Sequence, residues 1–418
     1  MSAWDREMEA ELAPIEGGGI TSPRGFRASA VASGIKRSGL DLALIVSVRE
    51  ASVAGMFTSN RVRAAPVRWC ERIAAQGVAR AILANSGNAN ACTGPQGERD
   101  AERMAAAAGR ALDLPADRVL VASTGVIGHP LPVERIEKAL PAAVAGLGGD
   151  GRTAAEAIMT TDTRPKSAAI ALDLGGRRVA LGGIAKGAGM IGPDLVPPRL
   201  DEPLHATILL FLTTDAAVAP VALREALRSA IDVSFNAITV DGDTSTNDTA
   251  LLLANGEAGG PPLDGGALEA FTRALTELTR ALALEIVRDG EGATRVIRIE
   301  VTGAPSREDA KRVAMTVANS PLVKTAFSAG EPNWGRLLMA VGRSGVAVEE
   351  PLLSVRIGGL QIVERGLGAG TDLEALRAAM SLPEAEVSID LGLGSASFTA
   401  WTCDLSEEYV RINAHYLT

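Results

Sequence analysis

The chain has 418 residues, 47% of them hydrophobic and 22% charged, and a net charge of −9. That balance suits a globular protein with room for two or more compact units, and the lack of a long basic run argues against nucleic acid or anionic membrane as partners. Cys70, Cys92 and Cys403, with His129, His205 and His415, are too few and too scattered for a disulfide framework or a multi-histidine metal site.

The first eleven residues are acidic and have no apolar centre, so they do not read as a signal peptide. No stretch reaches the length of a membrane span. A reducing cytoplasm is the expected compartment, with no metal.

Glycines and short apolar runs fill residues 15–60, and Leu42–Val48 reads as a strand. Ala81–Asn85 reads as a short buried strand. It leads into Asn85-Ser-Gly-Asn-Ala-Asn-Ala-Cys-Thr-Gly94, either a turn cluster or a loop that sets amide groups round a substrate. A helix is expected over 100–113. A strand from Val119 then meets Ser123-Thr-Gly-Val-Ile-Gly128, where Thr124 and the Gly125 amide have the chemistry of an oxyanion hole. A plain strand and turn fits the same letters. An amphipathic helix is expected over 132–146.

Thr160, Thr161, Asp162 and Thr163 follow, as a capped turn or as substrate hydrogen-bonders. Strands are expected over 167–182. Lys186-Gly-Ala-Gly-Met-Ile-Gly192 then opens a glycine-dense loop. Gly187–Gly192 fits the spacing of a dinucleotide fingerprint, but that motif needs a helix straight after it. Pro193, Pro197 and Pro198 oppose one.

Thr207 heads the apolar run Ile208–Leu212, which reads as a buried strand. A Thr hydroxyl is a weak nucleophile without an adjacent base. A free α-amino group, with a reference pKa of about 7.7–8.0, is such a base. Scission between Ala206 and Thr207 would place one beside the hydroxyl. The same letters also fit an ordinary core strand.

Beyond a helix over 221–232 comes Asp241-Gly-Asp-Thr-Ser-Thr-Asn-Asp-Thr249. It lacks the spacing and closing Glu of a calcium loop and reads as a polar loop on the substrate side. A long helix over 266–287 ends at Asp289-Gly-Glu-Gly-Ala-Thr294, where glycines flank Glu291. A strand (295–301), a helix (306–319), alternating strand (352–365, 385–399) and a helix (372–380) precede the polar end that runs to Thr418.

In this order, the segments at 85–94, 123–128, 159–163, 185–191, 206–216, 289–294, Pro332-Asn-Trp-Gly-Arg336 and Asn413–Thr418 resemble the ornithine acetyltransferase (glutamate N-acetyltransferase) family, from about Gly17 to the end. The resemblance implies an α/β fold of layered sheets covered by helices, of the N-terminal-nucleophile type. It implies self-cleavage into an α chain (1–206) and a β chain (207–418) that assemble as α2β2. Thr207 would take the acetyl group from N2-acetylornithine and pass it to glutamate. Thr124 and Gly125 would hold the oxyanion. Thr160, Lys186, Thr207, Glu291, Asn413 and Thr418 would bind substrate, with Thr161 an alternative to Thr160. No cofactor is implied, and acetyl-CoA enters as a co-substrate only in a bifunctional enzyme. Asp194–His205 lengthens the linker before Thr207. Three other readings stand beside this one: an N-terminal-nucleophile amidase or aminopeptidase, a paralogue acting on another N-acyl amino acid, and a non-catalytic amino-acid-binding protein.

Overall fold

The computed structural model describes residues 12–198, the backbone of 204–205, and 208–415. They form two compact units. One comprises the described residues up to Asn236 together with Asp243–Ile286; the other comprises Ala237–Gly242 and the described residues from Val287 on.

A nine-stranded sheet organises the first unit. Its strands run in the order Ala13–Pro14, Lys166–Asp173, Arg178–Lys186, Leu209–Thr214, Thr249–Ala254, Leu42–Phe57, Val78–Asn88 and Val119–Val126, with Phe26–Val31 also on Leu42–Phe57. Leu209–Thr214 and Thr249–Ala254 pair in parallel, and every residue of both is buried. Strands covered on both faces carry near-continuous apolar runs, here Leu209–Leu212 and Ala250–Ala254.

Alternation along the outer strands divides the core into two layers. Ala43, Ile45, Ile82, Ala84, Leu120 and Ala122 face one layer, with Val67, Cys70 and Ile73 of the helix Ala65–Gln76. Leu42, Leu44, Leu83, Val119 and Val121 face the other, with Met104 of Gly94–Leu112 and Ile136 and Leu140 of Val133–Ala145. Helices therefore cover a central sheet, which is the expected layered α/β class.

Several boundaries differ from expectation for local reasons. The strand read at 42–48 continues to Phe57. Its pairing with Val78–Asn88 shifts register between Val46 and Ala51, and Val48, Arg49 and Glu50 turn to solvent there. Such a bulge interrupts the apolar alternation without ending the strand. The helix expected from residue 100 starts at Gly94, where Pro95 occupies the first turn, a position that needs no amide donor. Residues 166–186 form a hairpin through Gly175 and Gly176, so Lys186 closes a strand rather than opening a loop. The strand Thr249–Ala254 and the helix Ala65–Gln76 were not anticipated.

The second unit holds a seven-stranded sheet, in the order Ile238–Thr239, Ala396–Cys403, Val296–Ala304, Glu384–Asp390, Ser354–Ile357, Leu360–Glu364 and Leu367–Gly368. Ile297, Ile299, Val301, Val387 and Ile389 pack against helices Arg307–Ala318, Pro321–Ala329, Gly335–Gly342 and Leu373–Met380. Neighbouring positions such as Glu384, Glu386 and Asp390 are exposed, the pattern of a sheet covered on one face. The division into units does not follow residue 206. Arg178–Lys186 and Leu209–Thr214 lie on either side of it and are hydrogen-bonded neighbours in one sheet.

Candidate active site

Three residues singled out in the sequence meet at one end of the large sheet. Lys186 ends its strand opposite Leu209 and is only 4% exposed. Its Nζ donates to Thr160 Oγ1 at 2.7 Å and to Thr124 Oγ1 at 3.3 Å. Of the two threonines left open by the sequence, Thr160 is therefore the one joined to Lys186.

The glycine next to Thr124 is fixed by crowding. Gly125 has φ +131°, and a Cβ there would lie 2.4 Å from the Gly87 carbonyl carbon and 2.6 Å from the Asn88 nitrogen. Only glycine lets the two strand ends approach this closely. The loop from Asn85 to Gly94 is scaffold for that approach. Ser123 donates to Asn85 Oδ1 at 2.6 Å, Asn85 Nδ2 to the Asn88 carbonyl at 2.9 Å, and Asn90 Nδ2 to the Gly97 carbonyl at 2.9 Å. These amide side chains satisfy buried backbone.

Asp162 is the electrostatic partner of the lysines. Its Oδ1 accepts from Lys166 Nζ at 2.7 Å and the Gly187 amide at 2.6 Å, and its Oδ2 accepts from the Thr160 amide at 3.0 Å. Burial disfavours its charge, but Lys186, Lys166 and these donors outweigh burial and hold the carboxyl below the usual carboxylate range. Lys36 lies close by, and its ammonium donates to the Met159 carbonyl. Burial and the repulsion of Lys186 lower its pKa against the pull of Asp41 and Asp162.

The polar loop at 241–249 supplies the brace that was missed. Asn247 Nδ2 donates to the carbonyls of Ala89, at 2.6 Å, and Ser123, at 2.8 Å. It thereby ties the scaffold loop to the residue before Thr124. The run of Asn and Asp hinted at hydrogen bonding, but only the folded pairing shows to what.

Ala206, Thr207 and Thr418 lie outside the described residues. The chain on either side of the first two is anchored. Phe57 and Val196 exchange backbone hydrogen bonds at 2.8 and 3.0 Å, and Asn236 bonds both backbone groups of Leu195. Residues 193–198 form no helix, which removes the dinucleotide reading. Beyond the linker, Ile208 is buried, and its carbonyl accepts from the Thr249 amide at 2.7 Å.

Within the second unit, Glu291 and Asn413 meet. Asn413 Nδ2 donates to Glu291 Oε2 at 2.7 Å and to the Tyr409 carbonyl at 3.1 Å, one helical turn back on Glu407–Ala414. Gly292 has φ +70°, and a Cβ there would sit 2.5 Å from the Tyr409 amide nitrogen. The turn is further held by Asp404, which accepts from the amides of Thr294 and Arg295. Sequence spacing alone, with 122 positions between the pair, could not show this contact.

The model of the ArgJ family matches residues 27–418. A protein of Symbiobacterium thermophilum, described as arginine biosynthesis bifunctional protein ArgJ, is 47% identical over 407 residues, covering 96% of this chain and 99% of its own. A protein of Geobacter sulfurreducens with the same description is 48% identical over 400 residues, covering 94% and 99%. Among solved structures, ornithine acetyltransferase complexed with ornithine from Mycobacterium tuberculosis is 42% identical, with a TM-score of 0.43, over 44% of this chain and 100% of that one.

Proposed function

The chain belongs to the ArgJ family, and on that premise we propose that it is a self-cleaving glutamate N-acetyltransferase of arginine biosynthesis. Thr207 Oγ attacks the carbonyl of Ala206, the C–N bond breaks as the nitrogen takes the hydroxyl's proton, and water then hydrolyses the resulting ester, leaving a carboxylate on Ala206 and a free hydroxyl and amine on Thr207. In turnover the same oxygen attacks the acetyl carbonyl of N2-acetylornithine. The amide C–N bond breaks, ornithine leaves with the proton taken from the hydroxyl, and an acetyl ester remains on Oγ. The amine of glutamate then attacks that ester, N-acetylglutamate leaves, and Oγ regains a proton.

The observation that carries this reading is the meeting of Lys186, Thr124 and Thr160 at the strand end beside residue 208. A buried ammonium and a hydroxyl there suit a developing oxyanion, with the Gly125 amide as a second donor. Lys186 and Thr160 suit a substrate carboxylate. Glu291 suits an ammonium, with Asn413 and Thr418 completing the amino-acid site. Acetyl-CoA serves as a second acetyl donor in this reading, and the processed chains assemble as α2β2 in the cytoplasm.

Intact mass and acetyl transfer together test it. The 43.0 kDa chain should resolve into two pieces split after residue 206, and transfer from acetylornithine to glutamate should be lost in Thr207→Ala. A wild-type chain that transfers acetyl while uncut would overturn the mechanism. Acetate release without transfer would favour the amidase reading.

A further inference from the structure

Lys36 carries a charge at this end of the sheet that the acetyl transfer above leaves without a task. Its turn is built round a buried acid. Asp41 is fully buried, and its carboxylate accepts from the amides of Ser33, at 2.5 Å, and Lys36, at 2.9 Å. The Asp41 carbonyl accepts from the Ser86 amide at 2.9 Å, which ties the turn to the strand Val78–Asn88. A Cβ at Gly87 would lie 2.9 Å from Lys36 Cγ, so the lysine stem runs over Gly87, the residue that Gly125 crowds. The ammonium then reaches the Met159 carbonyl at 3.3 Å, one residue before Thr160. Thr160 Oγ1 in turn accepts from Lys186. Lys36 is partly exposed, whereas Lys186 is buried.

Two ammonium groups thus converge on one turn, close enough to repel each other. The acids around them are already engaged. Asp162 takes Lys166 and the amides of Gly187 and Thr160. Both Asp41 oxygens are held by backbone amides. Asp248 has both oxygens buried, and burial pushes its carboxyl well above the usual carboxylate range, so it brings no charge. Asp41 and Asp162 attract Lys36 through space, yet its ammonium bonds only to a carbonyl among the described residues. Surplus positive charge suits an anionic ligand. Two cations on separate elements suit an anion with a carboxylate at each end.

We propose that Lys36 selects a dicarboxylate acceptor: Lys186 with Thr160 holds one carboxylate of glutamate, and the Lys36 ammonium binds the other. The inference rests on the acetyl-transfer reading above. Acetylornithine has one carboxylate and a side-chain ammonium, so it offers nothing to Lys36, which keeps its bond to Met159. When glutamate arrives, the ammonium exchanges that carbonyl for a carboxylate, a stronger charge-assisted partner. The same charge repels the ammonium end of ornithine, so one residue favours the acceptor and disfavours the spent donor.

The test uses Lys36→Met, which keeps the stem and removes the charge. In ping-pong kinetics, kcat/KM for donor and acceptor report separate half-reactions. The loss should fall on the acceptor half, as a drop of about tenfold or more in kcat/KM for glutamate, carried by KM. Glutamine, the uncharged isostere, should lose little, so the preference for glutamate over glutamine shrinks by the same factor. Lys36→Arg should restore part of that preference. An unchanged preference, or an equal loss for glutamate, glutamine and acetylornithine, overturns the inference and leaves acetyl transfer intact. A wild type that moves no acetyl from acetylornithine to glutamate overturns both. Should Lys36→Met fail to fold, wild type decides: glutarate should compete with glutamate about tenfold better than its monoamide, and equal inhibition by the two refutes a second carboxylate site.

Discussion

Gly125→Ala is the sharpest perturbation of the proposed oxyanion site. Two costs can be worked from the structure. A residue with a side chain held at φ +131° is strained by about 1–3 kcal/mol. The added methyl would also stand 2.4 Å from the Gly87 carbonyl carbon, where ordinary contact begins at 3.4 Å, so the strand ends must part by 3.4 − 2.4 = 1.0 Å. Both neighbours are backbone, which cannot rotate away. A displacement of that size at a reacting centre lowers turnover by about 100-fold, and loss of one oxyanion donor by about 100- to 1,000-fold. Acetyl transfer to glutamate, measured on protein whose scission is scored by mass, should fall by about 100-fold or more. Urea unfolding should show a loss of about 1–3 kcal/mol. Turnover within twofold of wild type, at unchanged stability, would refute the claim that close strand approach at Gly125 builds the site.

Asp162 links the site to pH. Its folded pKa lies below the unfolded value of about 3.9, so its contribution to stability is present above that value and lost as the pH falls through the folded one. Asp162→Asn should therefore destabilise at neutral pH and flatten the acid limb of a stability-versus-pH curve; parallel curves would contradict this. Asn247→Ala removes the donor to two buried carbonyls and should cost about 2–4 kcal/mol in denaturant unfolding. Glu291→Gln keeps a partner for Asn413 but loses the charge. It should raise KM for acetylornithine about tenfold or more with little change in melting temperature, and an unchanged KM would remove Glu291 from the ammonium site.

Much of the fold was legible because its strands announce themselves. Ile208–Leu212 is apolar without a break, and the strand Leu209–Thr214 that it leads into is buried along its whole length. The long strand Leu42–Phe57 was cut short in the reading because Arg49 and Glu50 sit at its bulge, where exposure mimics a turn. Gly94, Pro95 and Gly97 look like loop, yet they begin a 19-residue helix, since a first turn tolerates the missing amide of proline. At the site, Lys186, Thr160 and Thr124 were named as separate contributors, and the structure joins them. The role of Asn247 was passed over because its partners are backbone carbonyls of segments far away in the sequence. No periodicity in the sequence encodes that.

Leu209–Thr214 has Arg178–Lys186 on one edge and Thr249–Ala254 on the other. One neighbour precedes residue 206 in the chain and the other follows it. A break at that residue would therefore leave each product stitched into the other through a fully enclosed strand, with no surface along which they could peel apart. Separating them means melting the sheet. Because two loose pieces must then find one another by diffusion, heat inactivation of the severed enzyme should become harder to reverse as the protein is diluted, while the uncut Thr207→Ala chain should refold equally well at every dilution.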